Sequence, residues 1–361
     1  MKRVVIKLGT GILTHSIGKV DAGRIRAICS QVAELRKRGI ETLIVSSGAV
    51  GMGMGALDLQ ERPKTLAKQQ ACAAIGQSRL IQCWQDGLQP HGLIAGQILL
   101  THEGLRIRNR YVNAKATIEQ LLNYGVVPVI NENDSVSAIE IRFGNNDLLG
   151  AMVASLSDAD QYQILSTAPG LIDMDGDGQV IPVVETITPE IESLAKGTHS
   201  PTAVGGMVSK LEAAKLSTES GCETFIADGS AENIIVHIID GEAVGTRFKA
   251  SPQPMGSKKR WLAYFQRASG SISIDDGASD AIIRRGRSLL PAGVTGFDGH
   301  FKAGDVVDIL NTAGVAVARG EISFSSAEIA TIASKHVEEL SALYPKRTRL
   351  EVVHRDALVL L

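Results

Sequence analysis

The sequence predicts an α/β protein, a mostly parallel sheet with helices on both faces in three layers, followed by a small mixed-β domain. Three observations point there. Short β-branched runs alternate with longer helical periods over the first 230 residues. The stretch SPQPMGSKKR at 251–260, with two prolines and a glycine, then breaks the pattern. Beyond Gly270, short β-like runs dominate, separated by glycine turns. A length of 361 residues suits about two domains.

Val4–Leu8 reads as a buried strand. Asp21–Arg38 has helical period, with Asp21 as N-cap and Gly39 as stop. Thr42–Val45 is a second strand, and Lys64 to Gln89 a long helix punctuated by Pro90 and Gly92. Leu93–Leu100 and Val126–Ile130 read as strands, with a helix at Asn113–Tyr124 between them. Gln161–Leu165 is a strand, Met207–Ser220 a helix ending at Gly221, and Thr224–Ala227 a further strand. Strands joined by helices of this length imply parallel crossover units. The expected domains are 1–250 and 270–350, with a linker over 251–269 whose Lys258-Lys259-Arg260 is solvated. The second domain is expected to hold strands Ser271–Ile274, Val306–Leu310 and Val315–Ala318, and helices Gly277–Arg287 and Ser326–Ser334.

Lys plus Arg number 37 and Asp plus Glu 39, a net charge of −2. That excludes a chain built to coat nucleic acid or an anionic membrane. Cys29, Cys72, Cys83 and Cys222 form no C-x-x-C pair and are too sparse for a disulfide framework, which suits a reducing compartment. The N-terminal apolar run is too short for a signal sequence, and no run of 18 apolar residues occurs. A soluble, cytoplasmic protein is expected.

Three glycine clusters suggest anion binding. Lys7-Leu8-Gly9-Thr10-Gly11 and Ser46-Ser47-Gly48-Ala49-Val50-Gly51 each follow a strand, where ligands bind open α/β sheets. Gly205-Gly206-Met207-Val208-Ser209-Lys210 opens a helix, a phosphate site in waiting. Each alone is equally a structural turn. No Walker A sequence is present, and Gly51–Gly55 lacks the context of a dinucleotide fingerprint.

Strand Val126–Ile130 ends in Asn131-Glu132-Asn133-Asp134, and Phe143-Gly144-Asn145-Asn146-Asp147 opens the next helix. Amides with carboxylates suit a zwitterionic ligand, although turn and cap chemistry uses the same residues. Asp173–Gly178 opens like a calcium loop, but Val184 stands where the twelfth ligand should be, so a hairpin turn is expected. His91 and His102 lack a nucleophile partner, so no hydrolase triad is read.

KLGT at 7–10, SSGAVGMG at 46–53, RNRYVNA at 108–114, VPVINENDSV at 127–136, GNNDLL at 144–149, GGMVSKLEAA at 205–214 and HRD at 354–356 together resemble the glutamate 5-kinase family. KLG alone fits the wider amino-acid kinase superfamily; INEND followed by GNND is more specific. Residues from about 270 to 350 resemble a PUA domain. The resemblance implies an αβα sandwich that uses ATP and Mg²⁺ to phosphorylate L-glutamate to γ-glutamyl phosphate, the first step of proline biosynthesis, with proline as feedback inhibitor. It implies Lys7, Lys210 and Asp147 as catalytic residues, and Ser47, Asp134 and Asn146 as glutamate ligands. ATP would meet Lys7, Gly9, Ser166, Thr167 and Val204 through Lys210: Gly205, Gly206, Met207, Val208 and Ser209 lie between. No protein metal ligand is assigned. A homo-oligomer and the partner glutamate-5-semialdehyde dehydrogenase follow from the same resemblance.

Ser166-Thr167-Ala168-Pro169 departs from the family by lacking an acidic residue, as do Val204 for Thr and Asn145 for Asp. These changes bear on nucleotide affinity, and those at 166–169 suggest a catalytically weakened regulatory paralogue as one alternative. Kinases for aspartate or N-acetylglutamate are others; an acylated amine would give Asp134 no ammonium to pair. An RNA-binding protein is disfavoured, because Gly270–Leu361 holds 10 Lys/Arg against 12 Asp/Glu.

Overall fold

The computed structural model describes residues 2–16, 19–137, 146–173, 176–195, 206–266, 268–335, 339, 341, 344–345, 347 and 350–361. The chain forms two compact units, Met1–Pro254 and Met255–Leu361.

The first unit is built on a sheet of eight strands among the described residues. They are β1 (Arg3–Leu8), β2 (Glu41–Ser46), β3 (Ala95–Leu100), β4 (Val127–Glu132), β5 (Gln161–Ser166), β6 (Val183–Val184), β7 (Glu223–Asp228) and β8 (Thr246–Phe248). Their order is β3-β4-β2-β1-β5-β7-β8-β6, and neighbours run parallel except β7 with β8. The long helices are α1 (Ala22–Lys37), α2 (Ala49–Ala56), α3 (Leu66–Leu88), α4 (Arg108–Asn123), α5 (Asn146–Leu156) and α6 (Met207–Glu219), with a shorter α7 at Ile234–Ile239. The alternation of the sequence is thus the alternation of the fold. Asp21 caps α1 by accepting the Arg24 N–H at 2.8 Å, and Gly39 leaves the helix at φ +76°.

Side-chain alternation along β1 sorts the two faces. Val4, Ile6 and Leu8 join an apolar cluster with residues of α1, α3 and α7. Lys7 points the other way, toward α5, which packs on α6. The chain leaves β1 toward β2 on one side, and it leaves the neighbouring β5 toward β6 and β7 on the other, so the connections diverge at the carboxyl ends of β1 and β5. Open α/β sheets bind ligands at such a point.

The glycines after β2 are not the loop the sequence suggested. Only Ser47 and Gly48, the latter at φ +111°, separate β2 from α2. A Cβ on Gly53 would stand 1.8 Å from the Cys72 carbonyl oxygen, and one on Gly76 would stand 1.8 Å from that of Ala49. These glycines let the backbones of α2 and α3 touch.

The second unit carries β9 (Gly270–Ile274), β10 (Val294–Gly299), β11 (Val306–Leu310), β12 (Ala316–Ile322) and β13 (Val353–Leu360), in the order β10-β9-β11-β12-β13. Only β9 and β11 are parallel. Asp275 caps α8 (Asp276–Ile283), and Ser325 with Glu328 forms a capping box on α9 (Ser326–Ile332). Strand β13 extends this unit past the expected limit at 350. The expected linker is also shorter: Ser257–Phe265 is helical, Leu262 and Phe265 are fully buried, and Leu262 packs with Val306, Ala357 and Val359. Arg260, expected in water, is buried, while Lys258 and Lys259 are exposed.

Ile172 bridges Val180 antiparallel, and the Asp173 N–H donates to Gln179 O at 2.9 Å, so the described residues flanking the acidic stretch pair as a hairpin, while Met174 and Asp175 lie outside the described residues. The cysteines form no disulfide; burial pushes the Cys29 thiol up to about 12. Among the described residues no helix is long and apolar enough to cross a membrane.

Candidate active site

Lys7, one residue from the end of β1, lies between Val45 of β2 and Ile164 of β5. Its Nζ is 2.5 Å from Oδ1 of Asp147, in the first turn of α5. Lys210 in α6 places its Nζ 3.2 Å from Oδ2 of the same carboxylate. All three side chains are buried. Burial opposes ionisation of Asp147, but Lys7 and then Lys210 outweigh it and hold the carboxyl below its ordinary range. Lys210 is pushed below the usual lysine range by burial first and by Lys7, with Asp147 opposing. Two ammonium groups share one carboxylate, so the cluster keeps a positive surplus suited to an incoming anion. The Asp147 carbonyl also accepts from the Tyr162 hydroxyl at 2.7 Å. Gly150 makes room for that bond: a Cβ there would come within 2.1 Å of Tyr162 Oη.

Asn146 precedes Asp147 and ties two strand ends together, those of β2 and β4. Its Nδ2 donates to Ser46 O at 3.0 Å, Ser47 Oγ at 3.0 Å and Asn131 Oδ1 at 2.9 Å. Asn131 closes β4 and donates to Gln77 Oε1 on α3 at 2.8 Å. Ser46 Oγ accepts from the buried Trp84 indole at 3.0 Å. Asp134 is half-buried in the turn after β4.

Gly9 differs from expectation. Its N–H donates to Leu165 O at 3.0 Å, so it is not offered to an anion. A Cβ there would make only ordinary contacts, 3.6 Å from the Leu165 carbonyl oxygen and 3.7 Å from Lys7 Nζ. Ser166 ends β5 with its Oγ accepting the Ala168 N–H at 3.2 Å, and Thr167 follows, its Cγ2 3.2 Å from where a Cβ on Gly11 would lie. Gly206 is the N-cap of α6; Met207 is buried and Val208 exposed. Ser209 Oγ bonds Gly206 O at 2.9 Å and reaches Asp147 Oδ2 at 3.5 Å. Val204, Gly205, Gly144 and Asn145 lie outside the described residues.

Sequence reasoning missed the roles of Gln77, Trp84 and Tyr162. It also missed a buried pair, His102 Nδ1 to Glu132 Oε2 at 3.1 Å. Apart from Glu132, which lies in the INEND stretch, none carries a local motif, and only folding brings each to its partner.

Comparison with known proteins agrees with this geometry. Residues 2–228 match the model of the amino acid kinase family, and residues 270–344 that of the PUA domain. The glutamate 5-kinase of Trichlorobacter lovleyi is 43% identical over 100% of this chain and 97% of its own length. The chain belongs to the glutamate 5-kinase family. Other glutamate 5-kinases agree, from Pelobacter propionicus at 40% identity over 100% of this chain and 98% of that protein, and from Moorella thermoacetica at 41% over 100% and 96%. A UMP kinase structure from Bacillus anthracis is similar with TM-score 0.47 and 14% identity, over 69% of this chain and 96% of that one. This glutamate 5-kinase family member thus has the family's αβα kinase unit with a PUA domain after it, and it is an enzyme of the phosphotransferase class.

Proposed function

We propose that this family member transfers the γ-phosphoryl group of ATP to the γ-carboxylate of L-glutamate, giving ADP and γ-glutamyl phosphate, as the first step of proline biosynthesis. The observation that carries the reading is the pairing of Lys7 and Lys210 on the one carboxylate of Asp147 at the carboxyl end of the central strand.

A bond forms between a γ-carboxylate oxygen and the γ-phosphorus, and the β,γ-bridging oxygen leaves with its electron pair on ADP. The carboxylate is ionised at pH 7, so no general base is needed. The difficulty is bringing two anions together. Lys7 and Lys210 neutralise charge on the transferring group and its bridge, and Asp147 holds both ammonium groups in place beforehand. Ser47 and Asn146 meet the amino-acid end of glutamate, with Asp134 as counter-ion to its ammonium. Ser166, Thr167 and the segment from Gly206 to Lys210 face the nucleotide.

Asp147 is already engaged by two lysines, and among the described residues no cluster of three His, Cys, Asp or Glu side chains forms a metal cage. A Mg²⁺ ion bound with the nucleotide would supply further charge neutralisation at its phosphates, alongside Lys7 and Lys210.

Proline carries an amine and an α-carboxylate but no γ-carboxylate, which supports competitive feedback at the Asp134 end of the site. The acyl phosphate product is an activated mixed anhydride, which supports hand-over to glutamate-5-semialdehyde dehydrogenase. An ADP-release assay with glutamate, aspartate and N-acetylglutamate tests the reading. Turnover with glutamate far above the other two is expected, and a preference for either alternative would overturn it.

A further inference from the structure

Three side-chain amides form a chain leading into the site. Gln77 Oε1 accepts from Asn131 Nδ2 at 2.8 Å, and Asn131 Oδ1 accepts from Asn146 Nδ2 at 2.9 Å. An amide has unlike ends, so the direction of each bond fixes which end points where. Backbone groups, which cannot flip, agree with that direction at both links. The Glu132 N–H donates to Asn131 Oδ1 at 2.9 Å, and the Ser46 carbonyl accepts from Asn146 Nδ2 at 3.0 Å. Asn131 and Asn146 are buried, so a broken link is not simply replaced by water.

The consequence lies at the far end of the chain. The donor end of Asn146 is spent on Ser46, Ser47 and Asn131, which leaves its Oδ1, an acceptor, for a ligand. Ser47 Oγ accepts from Asn146, which leaves its proton to be donated. One acceptor and one donor side by side complement an ammonium and a carboxylate on the same carbon.

Gln77 itself is held by the backbone. Its neighbour Gly76 is where α3 meets the Ala49 carbonyl of α2 too closely for any side chain. Two turns further along α3, Trp84 bonds Ser46. The helix therefore grips the site from both Gln77 and Trp84.

We propose that Gln77 is a positioning residue for the amino-acid substrate: through Asn131 it orients the Asn146 amide so that Oδ1 receives the α-ammonium group. The inference rests on the glutamate reading above. Gln77→Leu removes the acceptor, and Gln77→Glu keeps an oxygen in its place. Steady-state kinetics of the full chain should show the glutamate KM raised about tenfold in Gln77→Leu, with kcat within about twofold and the ATP KM unchanged. Gln77→Glu should recover most of the loss. An unchanged glutamate KM in Gln77→Leu, an equal defect in both variants, or a joint rise in both KM values would overturn the inference. The side-chain amide signals of Asn131 and Asn146, followed by nuclear magnetic resonance, supply an arm without substrate. They should shift in Gln77→Leu and return in Gln77→Glu; unshifted signals overturn the amide chain. If the unaltered protein releases no ADP with glutamate, the functional reading fails by itself, and the spectra still decide for or against the orienting role.

Discussion

Lys7 and Lys210 are held by opposite oxygens of a single buried carboxylate, Lys7 at 2.5 Å from Oδ1 and Lys210 at 3.2 Å from Oδ2 of Asp147. One lysine comes from the first strand and the other from a late helix, so the site exists only once the sheet has closed around β1.

Lys210→Ala should lower kcat by about a hundredfold or more, with a much smaller rise in the glutamate KM, because the lost charge matters most as the phosphoryl group moves. Steady-state kinetics decide it. An unaltered kcat with only a raised glutamate KM would remove Lys210 from the chemistry.

Asp147→Asn should displace the alkaline limb of the pH–rate profile. Lys210 is pushed down by burial first, then by Lys7, and Asp147 is what opposes both. Without that carboxylate its pKa falls further. A lysine that must be charged is lost as pH rises through its folded pKa, so the limb moves to lower pH. A profile identical in shape to that of the unaltered protein would contradict this.

Asp134→Asn should raise the glutamate KM and the inhibition constant for proline together, leaving the ATP KM nearly unchanged. Both ligands offer an amine to the same carboxylate. Proline titrations at several glutamate concentrations measure both constants, and a variant that loses glutamate affinity but keeps full proline inhibition would separate the two sites.

Gly76→Ala should destabilise the first unit by about 1–3 kcal/mol or more, since the new Cβ collides with the Ala49 carbonyl. Gly51→Ala is the control, because a Cβ there meets nothing within 4 Å. In urea denaturation the control should be neutral or gain up to about 1 kcal/mol from helix propensity. Equal stability of the two variants would mean that α2 and α3 can move apart freely.

A chain ending at Pro254 should fold and keep glutamate-dependent ADP release. The first unit has its own apolar cluster built from β1, α1 and α3. A unit of about 250 residues buries enough surface to stand alone. A soluble, monodisperse truncation with no activity would show that the second unit completes the site.

Local pattern by itself determined most of the scaffold. Strand and helix periods and Asp21 as a cap are properties of neighbouring residues, and the fold follows them; the expected linker over 251–269 it follows only in part, because Ser257–Phe265 is helical. Lys7, Asp147 and Lys210 were legible because each sits in a motif at a strand or helix end. What only the tertiary structure decided depends on partners distant in sequence. The glycines of α2 read as a loop until Cys72 and Ala49 show that they are a helix crossing. Arg260 reads as solvated until the helical turns around it fold onto the second sheet. Strands β10 and β13 earned no local signal strong enough to name them, because their stability comes from pairing with β9 and β12. The amide chain from Gln77 through Asn131 to Asn146 has no local signature at all: a hydrogen bond's direction depends on which groups folding brings within 3 Å, and that is set by the packing of α3 against the sheet.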